Sequence, residues 1–164
     1  MTDALHPTLH LAPLDPAHPD AQALMAQSEA LMASLYPAES NHFEPADGLR
    51  APHGGFYGVW QGERLLGCGG VKFHDGVPAY GEIKRLFVRD DARGLGVAKQ
   101  LMARLEAELV ARGVQLARLE TGIHQPEALG LYRRLGYAQR GPFGSYAPDP
   151  LSAFFEKRLS HPQR

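Results

Sequence analysis

The chain is short of cysteine, of net charge and of long apolar runs, and each shortage removes a class of protein. One cysteine, Cys68, stands among 164 residues, so no internal disulfide can form. In "RLLGCGGVKF" it reads as a small buried strand residue rather than a nucleophile. Seventeen Lys plus Arg against eighteen Asp plus Glu give a formal charge of −1, which provides no broad field to attract nucleic acid or an anionic membrane. No window approaches the roughly 20 apolar residues of a spanning helix. The opening "MTDALHPTLHLAPL" lacks the basic and apolar regions of a leader. A cytoplasmic protein that contacts neither nucleic acid nor membrane is the expectation. The eight histidines show no Cys/His spacing of a metal site, so no metal is expected. Repeats and low-complexity tracts are missing as well, and the proline-rich opening and the "SHPQR" tail read as loose ends.

What is present suffices for one core: 44% of residues are apolar and 21% charged. The expectation is a single domain over 1–164, with its core over about 8–160. "TLHLAPL" alternates as a first strand. A helix follows over 16–35, with Ala21, Leu24, Met25, Ser28, Leu31, Met32 and Leu35 on one face and Pro37 as its stop. The polar "AESNHFEPADGLRAPHG" reads as a mobile flap with one helical turn. "GFYGVWQG" and "RLLGCGGVKFHDG" form a hairpin about Gly62 and Glu63, and "GEIKRLFV" is the next strand. A helix over 94–112 presents Ala98, Leu101, Met102, Leu105 and Leu109 on one stripe and stops at Gly113. "QLARLETG", "PEALGLYRRLG" and "SAFFEKRL" then read as strand, helix and strand. Hairpins followed by a strand, crossover helix and strand imply a mixed sheet in an α/β sandwich.

Between the fourth strand and its helix lies "VRDDARGLGVAKQLM". A helix N-terminus has unpaired N–H groups and about half a positive charge, so Gly94 and Gly96 there, with Arg93 at the rim, suit a phosphate or pyrophosphate. A turn that needs only positive φ at these glycines is the plainer reading. The dinucleotide pattern G-x-G-x-x-G fits poorly, although Glu120 follows on the next strand: position 99 is lysine, and five residues separate strand from loop. A Walker loop fails for want of its G-x-x-x-x-G-K-[ST] frame.

The segment resembles the acyl-CoA signature R/Q-x-x-G-x-G/A of the GCN5-related N-acetyltransferase superfamily, with Arg93, Gly96 and Ala98 on its defined positions. "QPEALGLYRRLGY" resembles that family's second block, with Ala128 and Tyr132 matching and Gln125 where asparagine is commoner. "GEIKRLFV", "LETG" and "FGSYAPDPLSAFFEKRL" are similar to a bacterial branch of small members, some of them labelled indole-acetate acetyltransferases.

The resemblance implies a mixed sheet of six to seven strands flanked by about four helices, with a V-shaped splay between the fourth and fifth strands. It implies acetyl-CoA, paired along Leu86, Phe87 and Val88, with its pyrophosphate on Arg93, Gly94, Leu95, Gly96, Val97 and Ala98 and further contact from Gln125 and Tyr132. The implied reaction is direct attack by a small-molecule primary amine in a ternary complex. Acetylation of a protein lysine or N-terminus and non-catalytic acyl-CoA sensing are the alternatives. A lysine-like amine is neutral in about one molecule in two thousand at pH 7, a penalty of ~4.6 kcal/mol, so a base is useful. Glu82 matches the position of the catalytic glutamate in the histone-acetylating members, or else pairs with Lys84. Tyr132 matches the usual acid, or else anchors a helix face. For the acceptor, Asn41, His42, Phe43, Arg50, Lys84, Arg85, Phe143 and Tyr146 are the candidates, with Arg85 or Arg50 able to hold a carboxylate; a surface salt bridge is the plainer reading of either arginine. Relatives of this size often dimerise, which implies a homodimer.

Overall fold

The computed structural model describes residues 8–159, so the expected loose ends over 1–7 and 160–164 lie outside the described residues. The alternating opening segment forms β1 (Leu9–Pro13), and the striped segment forms α1 (Pro19–Leu35), which starts at its proline and ends before Pro37. β2 (Gly54–Gln61) and β3 (Arg64–His74) form the hairpin about Gly62, followed by β4 (Tyr80–Val88). The chain then runs through α2 (Val97–Ala111), β5 (Leu116–Gly122), α3 (Pro126–Arg134), β6 (Ala138–Arg140) and β7 (Ser152–Arg158).

All seven strands share one mixed sheet in the order β1-β2-β3-β4-β5-β7-β6. β4 and β5 are parallel neighbours joined by the α2 crossover, and the other neighbours are antiparallel. The α2 stripe of Leu101, Met102, Leu105 and Leu109 is fully buried in the main core with Leu119 and Phe155. Ala21, Leu24 and Met25 of α1 belong to a second core with Phe56, Leu65 and Leu49. No helix among the described residues is long and apolar enough to cross a membrane.

Three expectations are corrected. About four helices were implied; the described residues hold three α-helices and three single-turn 3-10 helices, over Ala38–Ser40, Ala46–Leu49 and Asp90–Ala92. The helix expected from residue 94 starts at Val97, because Gly94 and Gly96 sit at φ 85° and 78° and no right-handed helix passes through such residues. The segment read as a mobile flap is tied down: Leu49 is buried, the Ser40 hydroxyl donates to Asp149 at 2.6 Å, and Glu44 pairs with Lys72 at 3.2 Å.

Candidate active site

β4 and β5 pair only at Gly81 with Ala117 and at Glu82 with Arg118, and beyond that point they part. The gap opens into a cleft of about 850 Å³, walled by the far half of β4, the end of α1, the loop before α2 and the head of α3. Between Gly70 and Cys68 of β3, which face Lys84 and Phe87, β4 holds one residue more than its partner strand. This is a bulge, and Arg85 within it has φ 59°. A regular strand points alternate residues to opposite faces; at the bulge Lys84 and Arg85 both reach the 42–44 segment, at the His42 and Glu44 carbonyls, and Leu86, Phe87 and Val88 continue along the cleft wall. Behind it, the Cys68 thiol donates to the Arg85 carbonyl at 3.5 Å, and burial pushes its pKa up to about 12, so it is a neutral packing residue.

At the other end, Gly96 caps α2 without any side-chain hydrogen bond. From Gly94 to Lys99 the backbone N–H groups have no protein acceptor among the described residues; the first such bond runs from Gln100 to the Gly96 carbonyl. A β-carbon on Gly94 or Gly96 would meet nothing within 4 Å, so these glycines answer to backbone angle and leave the amides open. Donors and helix dipole together suit an anion. Arg93 stands at the rim, 2.8 Å from Glu127 and 3.2 Å from Asp90, and Leu95 is exposed and outside the cleft wall.

Tyr132 and Glu120 face this cleft from α3 and β5. The Tyr132 ring is anchored 6.0 Å from Tyr137 and 6.2 Å from Phe155, while its hydroxyl makes no protein hydrogen bond among the described residues. Burial first, and the Glu120 charge second, raise its pKa, which keeps it a proton donor. Glu120 accepts from the Ser152 hydroxyl at 2.8 Å, and burial lifts its carboxyl above the ordinary range against that hydrogen bond and the pull of His42 and Lys84.

Residues 21–137 match the model of the Acetyltransferase (GNAT) family. The chain belongs to the GNAT acetyltransferase family. It is similar to a protein of Azospirillum brasilense named IAA acetyltransferase, 39% identical over 93% of this chain and 99% of that one. A solved structure from Klebsiella pneumoniae, provisionally named an acyl-CoA N-acyltransferase, is 31% identical over 93% of this chain and 99% of its own, with a TM-score of 0.77. The PaiA N-acetyltransferase of Thermoplasma acidophilum, solved in complex with coenzyme A, shares the fold at a TM-score of 0.70 and 14% identity over 92% of this chain and 99% of its own.

In this GNAT chain the expected site residues separate into groups. Leu86, Phe87, Val88, Arg93, Gly94, Gly96, Val97, Ala98, Gln125 and Tyr132 come together in the cleft wall. Gln125, at the N-cap of α3, accepts from the Tyr36 hydroxyl at 3.2 Å, and that hydroxyl in turn accepts from the His124 amide. Glu82 stands apart from this group: its carboxylate is 6% exposed, lies outside the cleft wall and has both oxygens engaged. One oxygen is 3.0 Å from His74 Nε2; the other accepts from the Tyr146 hydroxyl and lies 3.5 Å from Lys84 Nζ. Its pairing with Lys84 is therefore observed, and its use as a base is not favoured by its position. Asn41, His42, Phe43, Lys84 and Arg85 do line the cleft. Tyr146 stands behind Lys84, accepting from its ammonium at 2.9 Å, and Phe143 packs on Tyr146. Arg50 takes the surface salt-bridge reading: it pairs with Asp15 at 2.8 Å and Asp47 at 3.1 Å, away from the cleft. Glu120 was overlooked as a catalytic candidate; the available signal was a carboxylate in "LARLETG", on the strand that borders the expected splay.

Proposed function

We propose that the protein transfers an acetyl group from acetyl-CoA to the primary amine of a small molecule, by direct attack within a ternary complex. One observation carries the reading: a single cleft joins an unpaired strand edge, an uncapped helix N-terminus, and a carboxylate and a hydroxyl suited to opposite proton transfers. The naming of the Azospirillum relative as IAA acetyltransferase supports a small-molecule acceptor.

The residues fit the carrier. The β4 edge at Leu86, Phe87 and Val88 offers main-chain groups to an amide-bearing arm, as it would to an added strand. Amides from Gly94 to Lys99 offer donors to a diphosphate, with Arg93 beside them. Bound there, acetyl-CoA supplies a thioester whose acyl carbon is open to an amine.

Glu120 takes a proton from the amine as the C–N bond forms, offsetting part of the ~4.6 kcal/mol that separates ammonium from amine at pH 7. Its raised pKa brings it closer to that task than an ordinary carboxylate. As the C–S bond breaks, Tyr132 gives its proton to the leaving sulfur. Passage of the proton from Glu120 to the tyrosinate restores both groups. Free thiol release with a panel of amines tests the proposal: release must depend on the amine. Binding of coenzyme A with no release from any amine would overturn it in favour of a sensor.

A further inference from the structure

We infer that the acceptor carries a carboxylate beside an apolar body, and that Arg85 is the anchor for that carboxylate; the inference rests on the proposed acetyl transfer and names which amines it serves. Arg85 holds a left-handed backbone angle, φ 59°, that glycine adopts freely and arginine does not. The bulge in which it sits turns two consecutive cations, Lys84 and Arg85, toward the same cleft. Their commitments differ. Lys84 is held by Tyr146 at 2.9 Å, the His42 carbonyl at 3.3 Å and Glu82 at 3.5 Å. Arg85 is less fully satisfied.

The Arg85 side chain is 9% exposed, and its Nε donates to the Glu44 carbonyl at 3.1 Å. Its Nη1 lies 2.8 Å from a Glu29 oxygen but makes no directed hydrogen bond, and among the described residues it is a buried side-chain nitrogen left without one. Its Nη2 donates to no protein group among them. A buried planar cation whose Nη1 meets a half-exposed carboxylate without a directed hydrogen bond, and whose Nη2 has no protein acceptor among the described residues, takes a carboxylate through two parallel hydrogen bonds in exchange for Glu29. Glu29 is 46% exposed, so water can take over its charge when another carboxylate arrives.

The surroundings supply the rest of the ligand's shape. Phe43 lies 5.0 Å from the Arg85 guanidinium, and Phe43 and Leu31 are large apolar side chains left exposed while lining the cleft. Of the other acids of this wall, Glu44 is already paired with Lys72 at 3.2 Å and Glu127 with Arg93 at 2.8 Å. Glu120 thus remains for an ammonium and Arg85 for a carboxylate, the two charges of an amino-acid-like zwitterion.

Matched probes test this without any acetyl transfer. Calorimetry with coenzyme A present compares 3-phenylpropanoate with its neutral amide. The acid should bind about tenfold tighter, as charge-assisted pairing predicts. Arg85→Gln should abolish the preference. Glu29→Gln, a change at a half-exposed helix position, should tighten acid binding roughly threefold or more while leaving the amide unaffected. Equal binding of acid and amide to the native protein, or no binding of either, overturns the inference. If Arg85→Gln does not fold, Glu29→Gln decides, and unchanged acid affinity overturns it. Thiol release with phenethylamine, which lacks the carboxylate, reads the acetyl-transfer proposal separately.

Discussion

Glu120 helps keep Tyr132 protonated: burial is the first cause of the raised hydroxyl pKa, and the carboxylate across the cleft is the second. Two titratable groups in one cleft are thereby set to opposite proton tasks, which is the pattern of an acid and base pair.

Glu120→Gln should lower turnover roughly a hundredfold without weakening coenzyme A binding. It should also change how stability responds to pH. The folded chain releases the Glu120 proton above the ordinary 4.5, so the folded state holds that proton more tightly than the unfolded one. Its stabilising effect is complete below the ordinary value and is lost as pH rises through the raised one. Melting temperatures should show the variant gaining on the native protein as pH climbs from about 4 to 7. Parallel curves would contradict the shift.

Tyr132→Phe should cut turnover by about two orders of magnitude with coenzyme A affinity intact. The hydroxyl has no protein partner among the described residues and the ring keeps its contacts with Tyr137 and Phe155, so the melting temperature should hold or rise. A large fall in stability would show that the hydroxyl is structural.

Gly96→Ala forces a left-handed angle on a residue with a β-carbon, at a cost of roughly 1–2 kcal/mol. It also adds a methyl group beside the open amides, so coenzyme A should bind more weakly. Denaturant titration and calorimetry check the two effects, and an unaltered midpoint would show that the loop relaxes.

Tyr146→Phe removes a donor from Glu82 and an acceptor from Lys84. The loss should be about 1–3 kcal/mol of stability, because buried polar groups then lose a partner. Lys84 is freed in the cleft wall, so KM for the amine should change while coenzyme A affinity stays fixed. Steady-state kinetics that leave both constants untouched would disconnect Tyr146 from the acceptor side.

Much of this fold is legible because its signals are local. Alternation marks the long strands, the stripe from Leu101 to Leu109 marks α2, and glycines mark the turns at 62, 94, 96 and 113. β6 is too short to carry a period, at three residues. The α1 stripe divides: Ala21, Leu24 and Met25 enter a core, while Leu31, Met32 and Leu35 wall the cleft. Apolar periodicity cannot distinguish those fates, since protein and ligand carbon are covered alike. Glu120 and Glu82 were harder still. Which carboxylate faces the gap depends on where β4 and β5 part, a relation between segments distant in sequence. The bulge at Arg85 had no glycine to announce it.

The short pairing of β4 with β5 makes the sheet two plates, β1 to β4 and β5 to β7, fastened at one corner by Gly81–Ala117 and Glu82–Arg118. Among the described residues no other ladder bonds join the two plates, and across the splay the link is made by side chains, with Tyr146, between β6 and β7, bonding Glu82 and Lys84 of β4. A ligand spanning the open side would tie both plates at once, so amide exchange far from the cleft, on β2 and β7 alike, should slow when the gap is filled.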